Sequence, residues 1–70
     1  MDRETVESSM VKSVGYSPTE LTLEVEFAGG SVYQYAGVPS HIHDELMSSD
    51  SVGKSFGTLI KSQGYEYKKI

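Results

Sequence analysis

Between Leu21 and Phe27 the chain alternates without a break. Leu21, Leu23, Val25 and Phe27 take every second position, with Thr22, Glu24 and Glu26 between them. Successive side chains of an extended strand point to opposite faces, so this spacing builds one dry face and one wet face. A helix would scatter the same apolar residues around its circumference. The segment is therefore a half-buried strand, and the rest of the chain must supply a cover for its apolar side. Gly29-Gly30 follows and supplies residues that tolerate the positive φ of a tight hairpin. A second strand then runs through Val32, Tyr33, Gln34 and Tyr35 and ends at Gly37-Val38-Pro39.

The hairpin loop decides which face the tyrosines take. A two-residue loop at Gly29-Gly30 sets Phe27 opposite Val32 and puts Tyr33 and Tyr35 on the face of Glu24 and Glu26. One more loop residue puts them on the apolar face beside Val25. A shift of one residue exchanges the faces, and both registers stay open at this point.

Upstream, residues 1–8 are polar and charged and read as a flexible lead-in to a single domain over 9–70. Ser9 to Tyr16 reads as a strand. Its alternation is imperfect, since Val11 falls out of phase with Met10, Val14 and Tyr16, which suits an edge position. Ser17-Pro18-Thr19-Glu20 is a turn, with Pro18 presetting the backbone. Downstream, Pro39 is placed to open a helix reaching about Ser48, with Ile42, Leu46 and Met47 as its apolar stripe. Ser48-Ser49-Asp50-Ser51 offers caps for a second helix. Its stripe is Val52, Phe56, Leu59 and Ile60. Gly53 and Gly57 weaken that helix, which predicts close packing around them, and Gly64 is a suitable stop. Tyr65 to Ile70 alternates again and predicts a short C-terminal strand.

The expected fold is α+β: a three-stranded antiparallel meander, two helices packed on one face, and a possible last strand. The expected core is Val14, Leu21, Leu23, Val25, Phe27, Ile42, Leu46, Phe56, Leu59 and Ile60, joined by Val32 if the tyrosines face outward. Seventy residues make one small domain. Such a domain buries only about 60% of the surface its unfolded chain exposes, so the core must pack well. There is no cysteine, hence neither a disulfide nor a thiolate metal site. The N-terminal residues lack the apolar stretch of a signal peptide, and no apolar run is long enough to span a bilayer. No membrane association and a cytoplasmic location are expected.

In order and spacing the chain resembles the KTSC domain. The resemblance is carried by Val14-Gly15-Tyr16, by Leu21, Leu23, Val25 and Phe27, and by Gly30. It continues through the central Tyr33-x-Tyr35, Val38-Pro39, Leu46, Ser51-x-Gly53-Lys54-x-Phe56, Ile60 and Tyr65-x-Tyr67. It extends roughly over residues 8–69. Ser17, His43 and Gly57 depart from the residues common there, which are aspartate, tyrosine and asparagine. KTSC domains occur alone in bacterial and phage proteins and at the C-terminus of some lysyl-tRNA synthetases. The resemblance implies a small domain without an established activity, for which RNA binding has been suggested from the synthetase context.

The charge is uneven. The first fifty residues hold nine acids against Arg3 and Lys12, whereas the last twenty hold Lys54, Lys61, Lys68 and Lys69 against Glu66. A net charge of −4 opposes strong non-specific nucleic-acid binding, but the basic end leaves a localised contact open. Tyr33 and Tyr35 are the leading candidates for such a contact, because aromatics on a sheet face stack bases. Tyrosines are also ordinary strand residues that cover a core with the hydroxyl at its margin. Tyr16, Tyr65 and Tyr67 would widen an aromatic surface, and Lys54, Lys61, Lys68 and Lys69 would meet phosphates or simply be solvated.

Catalytic and metal chemistry find little support. Gly53-Lys54-Ser55 lacks the glycine a phosphate-binding loop needs five residues earlier, where Ser48 stands, and it falls on a helix. On a helix His41 lies near Asp44 and Glu45, but His43 points away, which makes a poor metal set. No serine has a matching histidine and carboxylate, and Glu24 with Glu26 is expected to be solvated. The expected function is a non-catalytic module without cofactor, binding RNA or tRNA through Tyr33, Tyr35, Lys54, Lys61, Lys68 and Lys69. The alternative is a protein-interaction or self-associating module that pairs through exposed strand edges.

Overall fold

A computed structural model describes residues 3–6 and 9–70. The strands are β1 (Arg3–Thr5), β2 (Val11–Ser17), β3 (Thr22–Phe27), β4 (Val32–Tyr35) and β5 (Tyr67–Lys69), and the helices are α1 (Ser40–Met47) and α2 (Val52–Leu59). A 3-10 turn over Lys61–Gln63 links α2 to β5. The strands form one antiparallel sheet in the order β1-β2-β3-β4-β5, with both helices inserted between β4 and β5. The α+β class agrees with expectation, but the sheet has five strands rather than a three-stranded meander. The extra strand at the start is β1, which lies inside the expected lead-in over 1–8 and pairs Arg3 with Gly15 and Thr5 with Ser13. Residues 1, 2, 7 and 8 of that segment lie outside the described residues.

The β3–β4 loop takes the longer form. Phe27 N–H donates to Ser31 O at 2.8 Å, and Gly30 N–H donates to Phe27 O at 2.9 Å. Gly30 alone of the pair has a positive φ, of 95°. This loop sets Val25 opposite Tyr33 and Leu23 opposite Tyr35, so both tyrosines share the face of the apolar residues.

Strand β2 lies between β1 and β3, not at an edge. Its broken alternation is a bulge. Val11 pairs with Phe27 and Ser13 with Glu26, leaving Lys12 as the extra residue. The bulge rotates Val11 onto the side of Val14, and both are buried.

Both helices cover this face. Val11, Val14, Leu23, Val25 and Tyr35 from the sheet cluster with Val38, Leu46, Val52, Phe56 and Ile60. Phe27, Ile42 and Leu59 pack at the margin, half-buried. Pro39 is the N-cap of α1, one position earlier than expected, and its carbonyl accepts from Ile42 N–H at 3.1 Å. Ser51 caps α2 without a side-chain hydrogen bond. Gly53 is buried, but Gly57 is not held by packing, because a Cβ there would meet nothing within 4 Å.

Leu21 is not in the core. It is 43% exposed at the end of the β2–β3 loop, in the left-handed region with φ of 53°. That conformation costs a residue with a Cβ roughly 1–2 kcal/mol. The loop is tied down by Val38 N–H, which donates to Leu21 O at 2.8 Å. Among the described residues no helix is long and apolar enough to cross a membrane.

Candidate functional site

The hairpin register brings together aromatics that lie between Phe27 and Tyr67 in the chain. Tyr33 and Tyr35 on β4 lie opposite Lys69 and Tyr67 on β5. From α2, Phe56 reaches down onto the same patch. The result is a closed circuit of rings. Phe56 meets Tyr35 at 5.5 Å, Tyr35 meets Tyr67 at 5.4 Å, and Tyr67 meets Tyr33 at 5.9 Å. Tyr33 in turn meets Phe27 at 5.7 Å, and Phe27 returns to Phe56 at 5.3 Å. Edge-to-face pairs dominate, the geometry that ring quadrupoles favour.

One side of the circuit is core and the other is a groove of about 620 Å³. Phe27, Tyr33, Tyr35, Tyr65 and Tyr67 line it, with Met10 and Lys61 at its walls. Tyr35 is only 5% exposed and forms the floor, whereas Tyr67 is 65% exposed and stands at the rim. Burial, followed by the neighbouring Tyr67 and Tyr33 hydroxyls, pushes the Tyr35 phenol above its ordinary pKa. Gly64, with φ of 73°, ends the 3-10 turn and directs the chain back along β4. Ala36 N–H then donates to Glu66 O at 2.8 Å, which fixes β5 and carries Tyr65 and Tyr67 into place.

The six residues nominated from sequence do not form one surface. Tyr33, Tyr35 and Lys61 meet in the groove. Lys69 shares its sheet face, being opposite Tyr33. Lys68 is opposite Gln34 and projects to the other face. Lys54 lies on α2 in a separate hollow with Glu45, Ser49, Ser55 and Thr58. Tyr35 is too buried to offer its ring to a ligand. Met10, Phe27 and Ile60 were not nominated, and only the tertiary packing brings them to the groove. Tyr67 was nominated as a widening residue and becomes the most exposed aromatic wall.

Tyr16 lies elsewhere. Its hydroxyl donates to Val38 O at 2.6 Å, and its ring stacks on His43 at 4.7 Å. Burial and then the Asp44 carboxylate push its pKa up. A shallower hollow beside it is lined by Arg3, Glu4, His43 and Asp44. Within it His43 Nδ1 is 3.9 Å from Asp44 Oδ1, whereas Arg3 is engaged outside it with Glu24.

The carboxylates of β3 are not the solvated pair expected. Glu24 is only 7% exposed, although it lies on the helix-free face. Arg3 Nη1 donates to one of its oxygens at 2.9 Å and Gln34 Nε2 to the other at 2.9 Å. Gly15 stands between Arg3 and Glu24 in the sheet and, without a side chain, leaves room for the guanidinium to cross β2. Glu26 accepts from the Ser13 hydroxyl at 2.9 Å. With both oxygens held by residues of β1 and β4, Glu24 is structural, while Glu26 is half-buried with one oxygen engaged.

The family model of the KTSC domain matches residues 7–68, almost the whole chain. The chain belongs to the KTSC domain family. A KTSC domain protein of Yersinia pestis, known from a crystal structure, is 40% identical and superposes with a TM-score of 0.91 over 99% of this chain and 96% of that one. An uncharacterised protein of Stutzerimonas stutzeri is 40% identical over 70 residues and matches along 99% of its length. A lysine–tRNA ligase of Nostoc sp. is 39% identical over 64 residues, and there the match spans 91% of this chain but 11% of the ligase. The KTSC fold thus occurs both as a chain of this size and as a small part of a much longer protein.

Proposed function

We propose that this KTSC domain is a non-catalytic RNA-binding module and that the aromatic groove is its contact site. The observation that carries this reading is the placement of Tyr67, two-thirds exposed, in one groove with Tyr33 and Lys61, with Lys69 on the same sheet face. Base–aromatic stacking contributes about 1–3 kcal/mol per base, and a nearby ammonium meets a phosphate of the same nucleotide's backbone. No acidic residue lines the groove among the described residues, which suits contact with a phosphate-bearing ligand there. Relatives that are lysine–tRNA ligases, proteins that handle tRNA, point the same way. The reading includes a cytoplasmic setting, where such RNA is found.

An NMR titration of labelled protein with bulk tRNA tests it. Shifts at Tyr33, Tyr67 and Lys61 that shrink as salt rises are expected, with Lys54 unmoved in its separate hollow. Absence of shifts at low salt would overturn the reading.

The second reading is a protein-interaction or self-associating module that uses strand edges. Its motivation is that β1 and β5 end the sheet. Both edges are three residues long and charged, Arg3-Glu4-Thr5 and Tyr67-Lys68-Lys69, and short charged edges discourage pairing. That argument ranks it second. A dimer seen by light scattering at high concentration would raise it.

A further inference from the structure

We infer that the groove takes the base of an unpaired nucleotide, so that its ligand is single-stranded RNA and not duplex. This rests on the RNA-binding reading and narrows it. The walls offer ring faces and edges: Tyr67 at the rim and Tyr33 and Tyr65 along the side, above a floor made by the buried Tyr35. A ring face stacks only on a base whose own face is free, and in a duplex each base face is covered by the next pair. A volume of about 620 Å³ is in the range of small-molecule clefts and suits one planar ring system with its sugar.

Charge leads to the same ligand. Double-stranded RNA is recognised by shape through contacts that run across successive grooves over about 16 base pairs. This domain is 27 Å in its longest dimension, and among the described residues Lys61 lines the groove, Lys69 shares its sheet face and Lys54 lies in a separate hollow. Two ammonium groups engage about two phosphates. For a single strand, that sets a slope of log affinity against log salt near −1.4. Such a shallow slope leaves stacking as the main source of affinity. Tyr35, buried beneath Tyr67, acts as a positioning residue that holds the rim ring and does not itself stack on the base.

The test is fluorescence anisotropy with a short labelled RNA of mixed sequence, free and annealed to its complement. The full chain is used as wild type and as Tyr67→Ala, Tyr67→Phe and Lys54→Ala. The expected result is binding of the free strand about ten-fold or more above the duplex, with a slope near −1.4. Tyr67→Ala should lower affinity roughly ten-fold, Tyr67→Phe should retain it because the ring face is kept, and Lys54→Ala, in its separate hollow, should change it little. Tyr67 is exposed, so the Ala variant should keep its fold, which an NMR fingerprint verifies. Equal binding of duplex and free strand would overturn the inference while leaving RNA binding in place. Free-strand binding indifferent to Tyr67→Ala would remove the groove from it. Binding of neither RNA would overturn both the inference and the reading beneath it.

Discussion

The two faces of the sheet reach burial by opposite means. On the helix-covered face Leu23, Val25 and Tyr35 are buried by apolar mass arriving from Leu46, Phe56 and Ile60, far along the chain. On the open face no helix packs among the described residues, yet Glu24 is only 7% exposed, close to Val52 at 6%. Its cover is polar and comes from within the sheet, as Arg3 reaching across β2 and Gln34 of the adjacent β4 close over it with one hydrogen bond to each oxygen. The first means is non-directional and grows with the apolar area removed from water. The second works only while every partner is present, because a buried charge without partners is costly. One face therefore depends on the apolar volume that fills it and the other on the completeness of its polar partners.

The comparison breaks most severely at Phe56, which joins the helix to both Phe27 and Tyr35. Phe56→Ala should cost about 3–5 kcal/mol, enough to leave a domain of this size largely unfolded. Urea denaturation followed by circular dichroism measures it, and a loss below about 1 kcal/mol would show that the core does not depend on that ring. On the open face Arg3→Ala should cost about 1–2 kcal/mol. That lies below a fully buried pair, because the guanidinium is 31% exposed and partly screened, and above a surface pair, because Glu24 is left with one partner. A double-mutant cycle with Glu24→Gln separates the coupling from the single losses, and additive effects would deny the pair any role.

A smaller effect of opposite sign is expected on the outer side of the covering helix. Gly57→Ala should stabilise by about 0.5–1 kcal/mol, since the site has room for a Cβ and the helix gains an alanine. Destabilisation would mean that Gly57 is held by something other than space. The last effect is absent at neutral pH. Tyr16 and Tyr35 both have pKa values raised above the ordinary 10.0. The folded state therefore holds these protons more tightly than the unfolded one. Stability is unaffected well below pH 10 and falls as pH rises from there through the folded values. Urea midpoints at rising pH should decline above pH 10, and less steeply for Tyr35→Phe. An unchanged decline would mean that Tyr35 is solvated in the folded protein.

Much of the covered face was legible before any tertiary information. The alternation of Leu23 and Val25 and the helical spacing of Val52, Phe56 and Ile60 marked residues that are all buried. Leu21 continued the same alternation and is exposed, because the loop had already turned there and the left-handed φ swings its side chain out of the strand pattern. Val11 seemed out of phase because a bulge at Lys12 cannot be told from a broken pattern without the partner strand. The candidate site was half legible. Tyr33, Tyr35 and Lys61 were named and do meet, but Lys54 and Lys68 point elsewhere. Charge along the sequence carries no information about which side of a sheet it ends on.

By itself the sequence determined the α+β class, the order of strands and helices from Val11 onward, the KTSC family and the basic C-terminal end. Each of these is local, written in the period of a segment or the spacing of a motif. The tertiary structure alone decided that the tyrosines turn inward, that Arg3 brings a fifth strand to the sheet, and that Glu24 is covered on a face without helices. These depend on hydrogen bonds and ion pairs between strands, such as Phe27 N–H to Ser31 O across the hairpin and Arg3 to Glu24 across Gly15. A period of two says that side chains alternate, but only pairing between strands says which side is dry.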